Sequence, residues 1–148
     1  MSDSTISTLN DLIETCKDGE YGFRACAEQA KSATLKTLFE RRAQECAAGA
    51  AQLQAHVSEL GGKPENRGSA LGAMHRGWVA VKAKLATFDD RAVLEECERG
   101  EDAALESYRE ALRQDLPERI ANLVELQYQG VKQNHDEIRR LRNELKAA

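Results

Sequence analysis

Proline and aromatic residues are scarce in this chain, and long apolar runs are absent from it. Its 148 residues include 2 prolines, and aromatic residues make up 5% of the total. No stretch approaches the roughly 20 apolar residues that a membrane-spanning helix requires. The first residues, MSDSTIST, lack the basic and apolar regions of a signal peptide. No segment alternates β-branched with polar residues, so strands are not expected. The sequence therefore predicts a cytoplasmic protein with no membrane partner.

The charge balance gives no reason to expect a nucleic-acid partner. The formal net charge is -4 and the isoelectric point is about 5.5, whereas nucleic-acid-binding surfaces carry clustered basic residues. The basic run RRLRNELK near the C-terminus is interrupted at helical spacing and is typical of a solvated helix face. The length and the 41% hydrophobic content predict one domain spanning residues 1–148 with a substantial core.

The four cysteines do not form a zinc-binding or redox motif. No two of them have CxxC spacing, and each falls within a helical pattern: Cys16, Cys26, Cys46 and Cys97. In a reducing compartment, such residues are typical buried thiols rather than disulfide partners or zinc ligands. We therefore expect four free, buried cysteines.

Apolar residues recur at three- and four-residue steps along most of the chain, which is typical of amphipathic helices. This spacing predicts four long helices and one shorter helix, over about 5–31, 34–60, 69–86, 90–114 and 117–146. Gly61 and Gly62 are expected to end the second helix, and Asp89 to precede the fourth. The segment GGKPENRGS, which contains Pro64, has the composition of a loop.

The lengths of the connections predict how the helices are arranged. The first two long helices and the last two are joined by very short turns, so each pair is expected to form an antiparallel hairpin. The connection between the hairpins is long and contains the short helix. Two hairpins joined by a crossover have the topology of a ferritin-like bundle, not that of a simple up-down-up-down bundle. The predicted fold is therefore an all-α, ferritin-like four-helix bundle with a short crossover helix.

Two stretches with matching residues place glutamates on the predicted core faces. ETCKDGE begins at residue 14 and EECERGE at residue 95, and they share Glu, Cys, Gly and Glu at corresponding positions. Helical spacing aligns Glu20 with Cys16 and Glu101 with Cys97, so both glutamates are expected to face the core. A buried carboxylate is costly unless it is paired, protonated or bound to a metal.

The two glutamates supply only half of a dinuclear metal site. Di-iron and di-manganese bundles take one Glu from each of two helices and a Glu-x-x-His from each of the other two. Here Ala48 stands three residues after Glu45, and Lys132 stands three residues before His135. Glu45 itself is expected at the edge of the core or in solvent. A complete dinuclear set is therefore not present in the sequence.

Three interpretations of Glu20 and Glu101 remain open at this point. In the first they are structural, and satisfied by neighbours drawn from Gln127, Asn134, Tyr108, Arg42, His75 and Lys82. In the second they bind iron or manganese in a mononuclear or degenerate site, with His135 as a further ligand. In the third they share a proton as a catalytic pair. Because His135 falls at the edge of its apolar stripe, a surface or partly buried position is expected for it.

The crossover segment MHRGWVAVK contains Trp78, the single tryptophan of the chain. A tryptophan on an amphipathic helix is typically a core anchor, here against the side of the bundle. The alternative is an interface, because Trp and Arg are enriched where proteins meet.

Several stretches together resemble one bacterial family: LNDLIE, KDGE, ELGGKPE, GSALGAMHRGW, LEECERGED and KQNHDEIRRLR. Over nearly its whole length the chain is similar to the ferritin-like bundles known as domain of unknown function 2383, and HRGW and ERGED are the most specific stretches. The resemblance implies the fold and a likeness to stress-associated ferritin-like proteins. It implies no particular activity.

The expected function is that of a cytoplasmic, stress-related ferritin-like bundle without a complete dinuclear metal site, self-associating through exposed helix faces. The sequence favours a non-enzymatic role, and it assigns no catalytic and no organic-cofactor residue. One alternative is an iron- or manganese-dependent redox protein that uses Glu20 and Glu101, with His135. Another is an oligomeric scaffold or partner-binding bundle that acts through the helix of Trp78.

Overall fold

The computed structural model describes residues 2–65 and 73–147, which are helical apart from their connections and contain no strand. The helices are α1 (Ser2–Gln29), α2 (Ala33–Glu59), α3 (Ala73–Lys82), α4 (Asp90–Leu112) and α5 (Glu118–Ala147), with a 3-10 turn at Leu85–Thr87. The four long helices lie where they were predicted. The short helix ends at Lys82, earlier than expected, because the chain tightens into the 3-10 turn; its predicted residues 69–72 lie outside the described residues. None of the described helices is long and apolar enough to cross a membrane.

The helix ends follow local signals in the sequence. Ser32 caps α2, where its Oγ accepts the N–H of Leu35 at 3.3 Å. Asp89 caps α4, where its Oδ1 accepts the N–H of Ala92 at 2.8 Å. After α2 the chain turns at Gly61, whose φ of +82° lies in the left-handed region that glycine adopts without strain. The boundaries predicted at Gly61 and Asp89 are therefore confirmed.

The long helices form two hairpins, α1–α2 and α4–α5, joined by the crossover that contains α3. The hairpins pack together through α1 and α4, which run antiparallel: Cys16 contacts Tyr108, and Cys26 contacts Cys97. α2 and α5 approach each other less closely than the other neighbouring long helices. This arrangement confirms the predicted ferritin-like topology.

Two clusters of buried apolar residues fill the bundle, one toward each end. The first cluster includes Phe23 and Phe39, and the second includes Leu9 and Leu53. On α4 the first cluster ends at Cys97 and the second begins at Leu105, and Glu101 falls between them. On α5 the gap between Val131 and Ile138 contains Asn134, which is also buried. The fold therefore places polar side chains at mid-height between two apolar layers.

Trp78 anchors α3 on α1 and α4. Its side chain is 2% exposed, and its ring centroid lies 6.4 Å from that of Phe23. A Cβ added at Gly100 would lie 2.5 Å from the ring, and one added at Gly22 would lie closer still. Glycine at both positions is therefore what allows the ring to enter between the helices. The interpretation of Trp78 as a core anchor is confirmed.

The cysteines are free and buried, as predicted. Cys26 and Cys97 contact each other across α1 and α4, with their Sγ atoms 3.3 Å apart. Burial raises the pKa of the Cys97 thiol well above its ordinary value, and it also raises the pKa of Cys46 and Cys16. The neutral thiol is therefore the favoured form of these three cysteines.

Candidate functional site

A pocket of about 530 Å³ opens between α2 and α5 at the height of the polar layer. Its location follows from the packing, since α2 and α5 are the neighbouring long helices that approach each other least. Its apolar lining includes Phe23, Trp78, Ala104, Leu126 and Val131. Its polar lining includes Cys16, Arg42, Cys46, Glu101, Tyr108, Gln127 and Asn134. Apolar walls combined with a few convergent polar groups are typical of a small-molecule site.

Arg42 and Glu101 form a buried ion pair in the wall of this pocket. Nε of Arg42 donates to Oε1 of Glu101 at 3.3 Å, and the two side chains are 9% and 2% exposed. The guanidinium also lies 5.8 Å from the ring centroid of Phe23 and 3.6 Å from the exposed Glu45. Arg42 therefore supplies the positive charge that a buried carboxylate needs.

Beside this ion pair lie buried polar atoms of Glu101 and Asn134 whose hydrogen bonding is incomplete. Oε2 of Glu101 and both polar atoms of the Asn134 amide make no hydrogen bond of normal geometry to any described group. Burial raises the pKa of Glu101, and the nearby Arg42 opposes this rise without cancelling it. Buried polar atoms are nearly always hydrogen-bonded in folded proteins. The Asn134 amide also acts on Glu101 as a hydrogen-bonding neighbour and helps Arg42 to oppose the rise in the pKa of that carboxyl, so the two buried side chains stabilise each other.

A hydrogen-bond network forms another wall of the pocket and joins all four long helices. The hydroxyl of Tyr108 donates to Oε1 of Gln127 at 2.9 Å and lies 3.3 Å from Sγ of Cys16. Nε2 of Gln127 donates to the carbonyl of Gly49 at 3.2 Å and to Oε1 of Gln52 at 3.0 Å. Because Gln127 is satisfied within this network, it is not a free ligand at the pocket.

The expectation that Glu20 occupies a core position is wrong. Its side chain is 21% exposed and pairs with residues of its own helix, Arg24 at 2.7 Å and Lys17 at 4.0 Å. The contact position on α1 belongs to the preceding residue, Gly19, where an added Cβ would lie 3.0 Å from Sγ of Cys46. One residue turns a helix by about 100°, which is enough to move Glu20 from the core to the edge.

Glu101, in contrast, is a core residue as predicted. Of the partners considered for the two glutamates, Arg42 pairs with Glu101, whereas Lys82 lies over the ring of Tyr21, 4.9 Å from its centroid. The side chain of His75 lies outside the described residues. The geometry supports the structural interpretation for Glu101, with an arginine as its counter-ion.

His135 is buried, with 4% exposure, rather than at the surface or partly buried as expected. Its Nε2 lies 2.6 Å from Oδ1 of Asp102 and 3.8 Å from Oε2 of Glu98. Glu98 in turn accepts hydrogen bonds from Arg139, at 2.9 Å, and from Arg142. Sequence reasoning missed this charged network between α4 and α5. Its signal was a set of acidic residues on α4 facing basic residues on α5.

The residues at mid-height do not fit a dinuclear metal centre. Among the side chains that the structure describes, no group of three or more His, Cys, Asp or Glu residues is placed to hold a metal ion. Glu45 is exposed, as predicted, and Glu101 already has a guanidinium beside it. A second cation at Glu101 would be repelled by Arg42. Ligation of iron or manganese by Glu20, Glu101 and His135 stays a prediction.

Comparison with known proteins agrees with this architecture. The family described as "Domain of unknown function (DUF2383)" matches residues 4–114. The chain belongs to this family. A solved structure of similar fold is described as a dodecameric thioferritin, the bacterioferritin-related protein from Bacteroides fragilis; the TM-score is 0.72 with 17% identity, over 99% of this chain and 90% of that one. No curated protein matches the sequence significantly.

The DUF2383 match divides the pocket between two parts of the chain. It covers α1 to α4 and so includes Arg42 and Glu101. Asn134 and Gln127 lie beyond it, on α5. The ion pair therefore lies in the part of the chain that the family model matches, while the Asn134 amide beside it comes from α5, outside that part.

Proposed function

We propose that this DUF2383 protein is a ferritin-like bundle that binds a small organic molecule in its core pocket and contains no complete dinuclear metal centre. One observation carries the proposal: a pocket of about 530 Å³ opens between α2 and α5, with apolar walls and the buried Arg42–Glu101 pair at its side. Apolar walls with a few polar groups, at this volume, are what small-molecule sites have in common. The role is one of binding rather than catalysis.

The charge arrangement supports an organic occupant over a metal. Iron and manganese sites in helical bundles collect several carboxylates to balance the charge of the ions. Here the carboxylate of Glu101 is balanced by Arg42, and that of Glu20 by Arg24. A divalent ion would have to compete with both guanidinium groups.

Native mass spectrometry of protein purified without chelator tests this function. We expect an adduct with the mass of an organic molecule, lost on denaturation and reduced in Asn134→Leu. An apoprotein mass alone would contradict the proposal. A mass of iron or manganese, present in the wild type and lost in Glu20→Gln, Glu101→Gln and His135→Ala, would instead support the metal-dependent redox protein.

Self-association is a second element of the proposal. The structural neighbour is described as dodecameric, and Leu126, at the rim of the pocket on α5, is 72% exposed. We expect light scattering to give a mass above that of one chain, and Leu126→Glu to lower it; a single-chain mass for the wild type would contradict this. A scaffold acting through the ring of Trp78 is not favoured, because that ring is buried.

A stress-related cytoplasmic role is proposed on the strength of the family resemblance. The sequence analysis based this expectation on the likeness of the family to stress-associated ferritin-like proteins. The abundance of the protein in its own cells, measured by quantitative proteomics before and after hydroperoxide treatment and starvation, tests it. We expect an increase under at least one condition, and unchanged abundance under both would contradict the role.

A further inference from the structure

We propose that the exposed face formed by α2 and α5 binds the same face of a second copy of this chain. This inference rests on the self-association proposed above and names the surface that mediates it. It follows from the lack of charge along the middle of the face, from the pattern of charges at its two ends and from its size.

The middle of the α2–α5 face has few charged residues. α2 contains no Asp, Glu, Lys or Arg from Cys46 to Ser58, and α5 contains none from Leu126 to Val131. The exposed residues on this side of the two helices are small or uncharged: Ala48, Ala51, Gln52 and Ala55 on α2, and Asn122, Leu126, Gln129, Gly130 and Gln133 on α5. Depletion of charge at the centre of a surface is typical of protein interfaces.

The exposed side of α4 provides a contrast within the same molecule. It carries ion pairs at successive turns: Arg91 with Glu95, Arg99 with Glu96, and Arg113 with Glu110. Regularly spaced charges of this kind are typical of a helix side that stays in water. The α2–α5 face therefore differs in composition from an ordinary solvated surface.

The charges at the two ends of the α2–α5 face are arranged in opposite senses. At one end, Arg41 of α2 lies 3.5 Å from Glu137 of α5. At the other end, Glu59 of α2 lies 3.5 Å from Arg119 of α5. In each helix the two end residues are about five turns apart, so they lie on the same side of that helix. The positive charge therefore moves from α2 at one end to α5 at the other.

This arrangement makes the face complementary to itself. A second copy can face the first across a two-fold axis that lies in the plane of the face, either along the helices or across them. With either axis, Arg41 and Arg119 of one copy lie over glutamates of the second. Glu45 is a further exposed acidic residue on this side of α2, and its carboxylate is 3.6 Å from the guanidinium of Arg42. The end charges therefore favour a second copy as the partner.

The face is large enough for a reversible dimer. Five helical turns are about 27 Å long, and two adjacent helices are about 20 Å wide, which gives about 500 Å² on each copy. The total of about 1,000 Å² is at the lower end of the range of specific interfaces. Leu126, which is 72% exposed, lies near the centre, and the space beside Gly130 is open. A protruding side chain and open space on the same face allow two copies to interdigitate.

A dimer of this kind would also close the pocket. Exposed residues of the face line that pocket as well, among them Ala48, Gln52, Leu126 and Gln133. The pocket therefore opens on the α2–α5 face, and a second copy would cover its mouth. A molecule bound inside would leave when the two copies separate.

Two charge-reversal variants of the full-length protein test the surface. Arg41→Glu with Arg119→Glu makes both ends of the face negative, and Glu59→Arg with Glu137→Arg makes both ends positive. Each variant alone should dimerise with a dissociation constant at least about a hundredfold higher than that of the wild type, because like charges meet at both ends. An equimolar mixture of the two variants should associate again, because opposite charges meet. Sedimentation velocity measures these masses against the 16.4 kDa of one chain.

A matched control separates the α2–α5 face from the effect of net charge. Arg91→Glu with Arg113→Glu makes the same change in charge at exposed arginines of α4, which pair with Glu95 and Glu110 of their own helix. This control should associate like the wild type. Far-UV circular dichroism checks that every variant folds, and renewed association in the mixture cannot come from unfolded chains.

Each other outcome contradicts the inference in a distinct way. If both variants keep the wild-type mass, the interface lies elsewhere and only the proposed self-association stands. If both variants dissociate but their mixture does not associate, the face does not bind itself. Equal dissociation of the α4 control would show that net charge, and not this face, governs association. A wild type with the mass of one chain at every protein concentration would contradict the self-association as well.

Discussion

Glu101 lies in the middle of α4 between two apolar layers, where an unpaired carboxylate would be strongly destabilising. Arg42 reaches it from α2, and the ring of Phe23 lies beside the guanidinium. Because the counter-ion is a side chain of the same chain, the charge of Glu101 is paired without any ligand. At the residue scale, this pair is what allows a carboxylate to lie between two apolar layers.

Glu101→Gln tests the consequence of that burial for stability. Burial raises the pKa of Glu101 in the folded state. A carboxyl with a raised folded pKa favours folding when protonated, so its contribution is present below the ordinary pKa of glutamate, about 4.3, and is lost as the pH rises through the raised value. We therefore expect the free energy of unfolding of the wild type to fall more steeply above about pH 4 than that of the variant. Urea denaturation at successive pH values measures this, and parallel pH profiles would contradict it.

Among the elements, the crossover helix α3 depends most clearly on one side chain. Its ten residues, Ala73–Lys82, are too few to be stable alone, so their helical structure depends on packing. Trp78 provides this packing by entering the space that glycine leaves on α1 and on α4. The guanidinium of Arg99 lies over the same ring, 5.8 Å from its centroid. The docking of α3 therefore also affects the shape of the pocket, because Trp78 lines that pocket.

Alanine at Gly22 or Gly100 tests this docking. Each added Cβ would clash with the Trp78 ring, and overpacking of a core typically costs about 1–3 kcal/mol. We expect both variants to be less stable than the wild type in urea denaturation, even though alanine favours the helix by about 1 kcal/mol. Gly130→Ala is the control, since its Cβ would meet nothing within 4 Å; it should be neutral or stabilising. If alanine raised the stability at all three positions, the close packing of the Trp78 ring against Gly22 and Gly100 would be contradicted.

Across the whole molecule, the cysteines are distributed over both apolar clusters and over three of the long helices. Cys26, Cys46 and Cys97 lie in the first cluster, and Cys16 in the second. Cys16 and Cys46 also line the pocket. A thiol reagent can reach the remaining two, Cys26 and Cys97, only when the packing of α1 on α4 opens.

Maleimide labelling therefore reports how the bundle opens. In native buffer we expect slow modification of every cysteine, because all four are buried and burial raises the pKa of Cys16, Cys46 and Cys97. Cys16 and Cys46 should react before Cys26 and Cys97, with all rates rising as urea removes helicity. Mass spectrometry of digested samples identifies the modified sites. Rapid modification of Cys26 or Cys97 in native buffer would contradict the observed packing of α1 on α4.

The sequence by itself determined the helices, their ends and their pairing into hairpins. These features depend on local information: apolar spacing, a capping residue such as Asp89, the left-handed glycine Gly61, and the lengths of the connections. It also identified Glu101 as a core carboxylate, because the apolar residues on both sides of it on α4 set the face of the helix.

Only the tertiary structure decided which side chains meet at the pocket and around it. Glu20 and Gly19 are neighbours in sequence, and a rotation of one residue determines which of them faces α2. Long side chains such as Arg42 reach partners on other helices, so their pairing depends on how those helices pack. The burial of His135 depends likewise on carboxylates that α4 brings against α5. The apolar spacing along one helix predicts which of its faces is buried, whereas a site forms where the faces of several helices pack together.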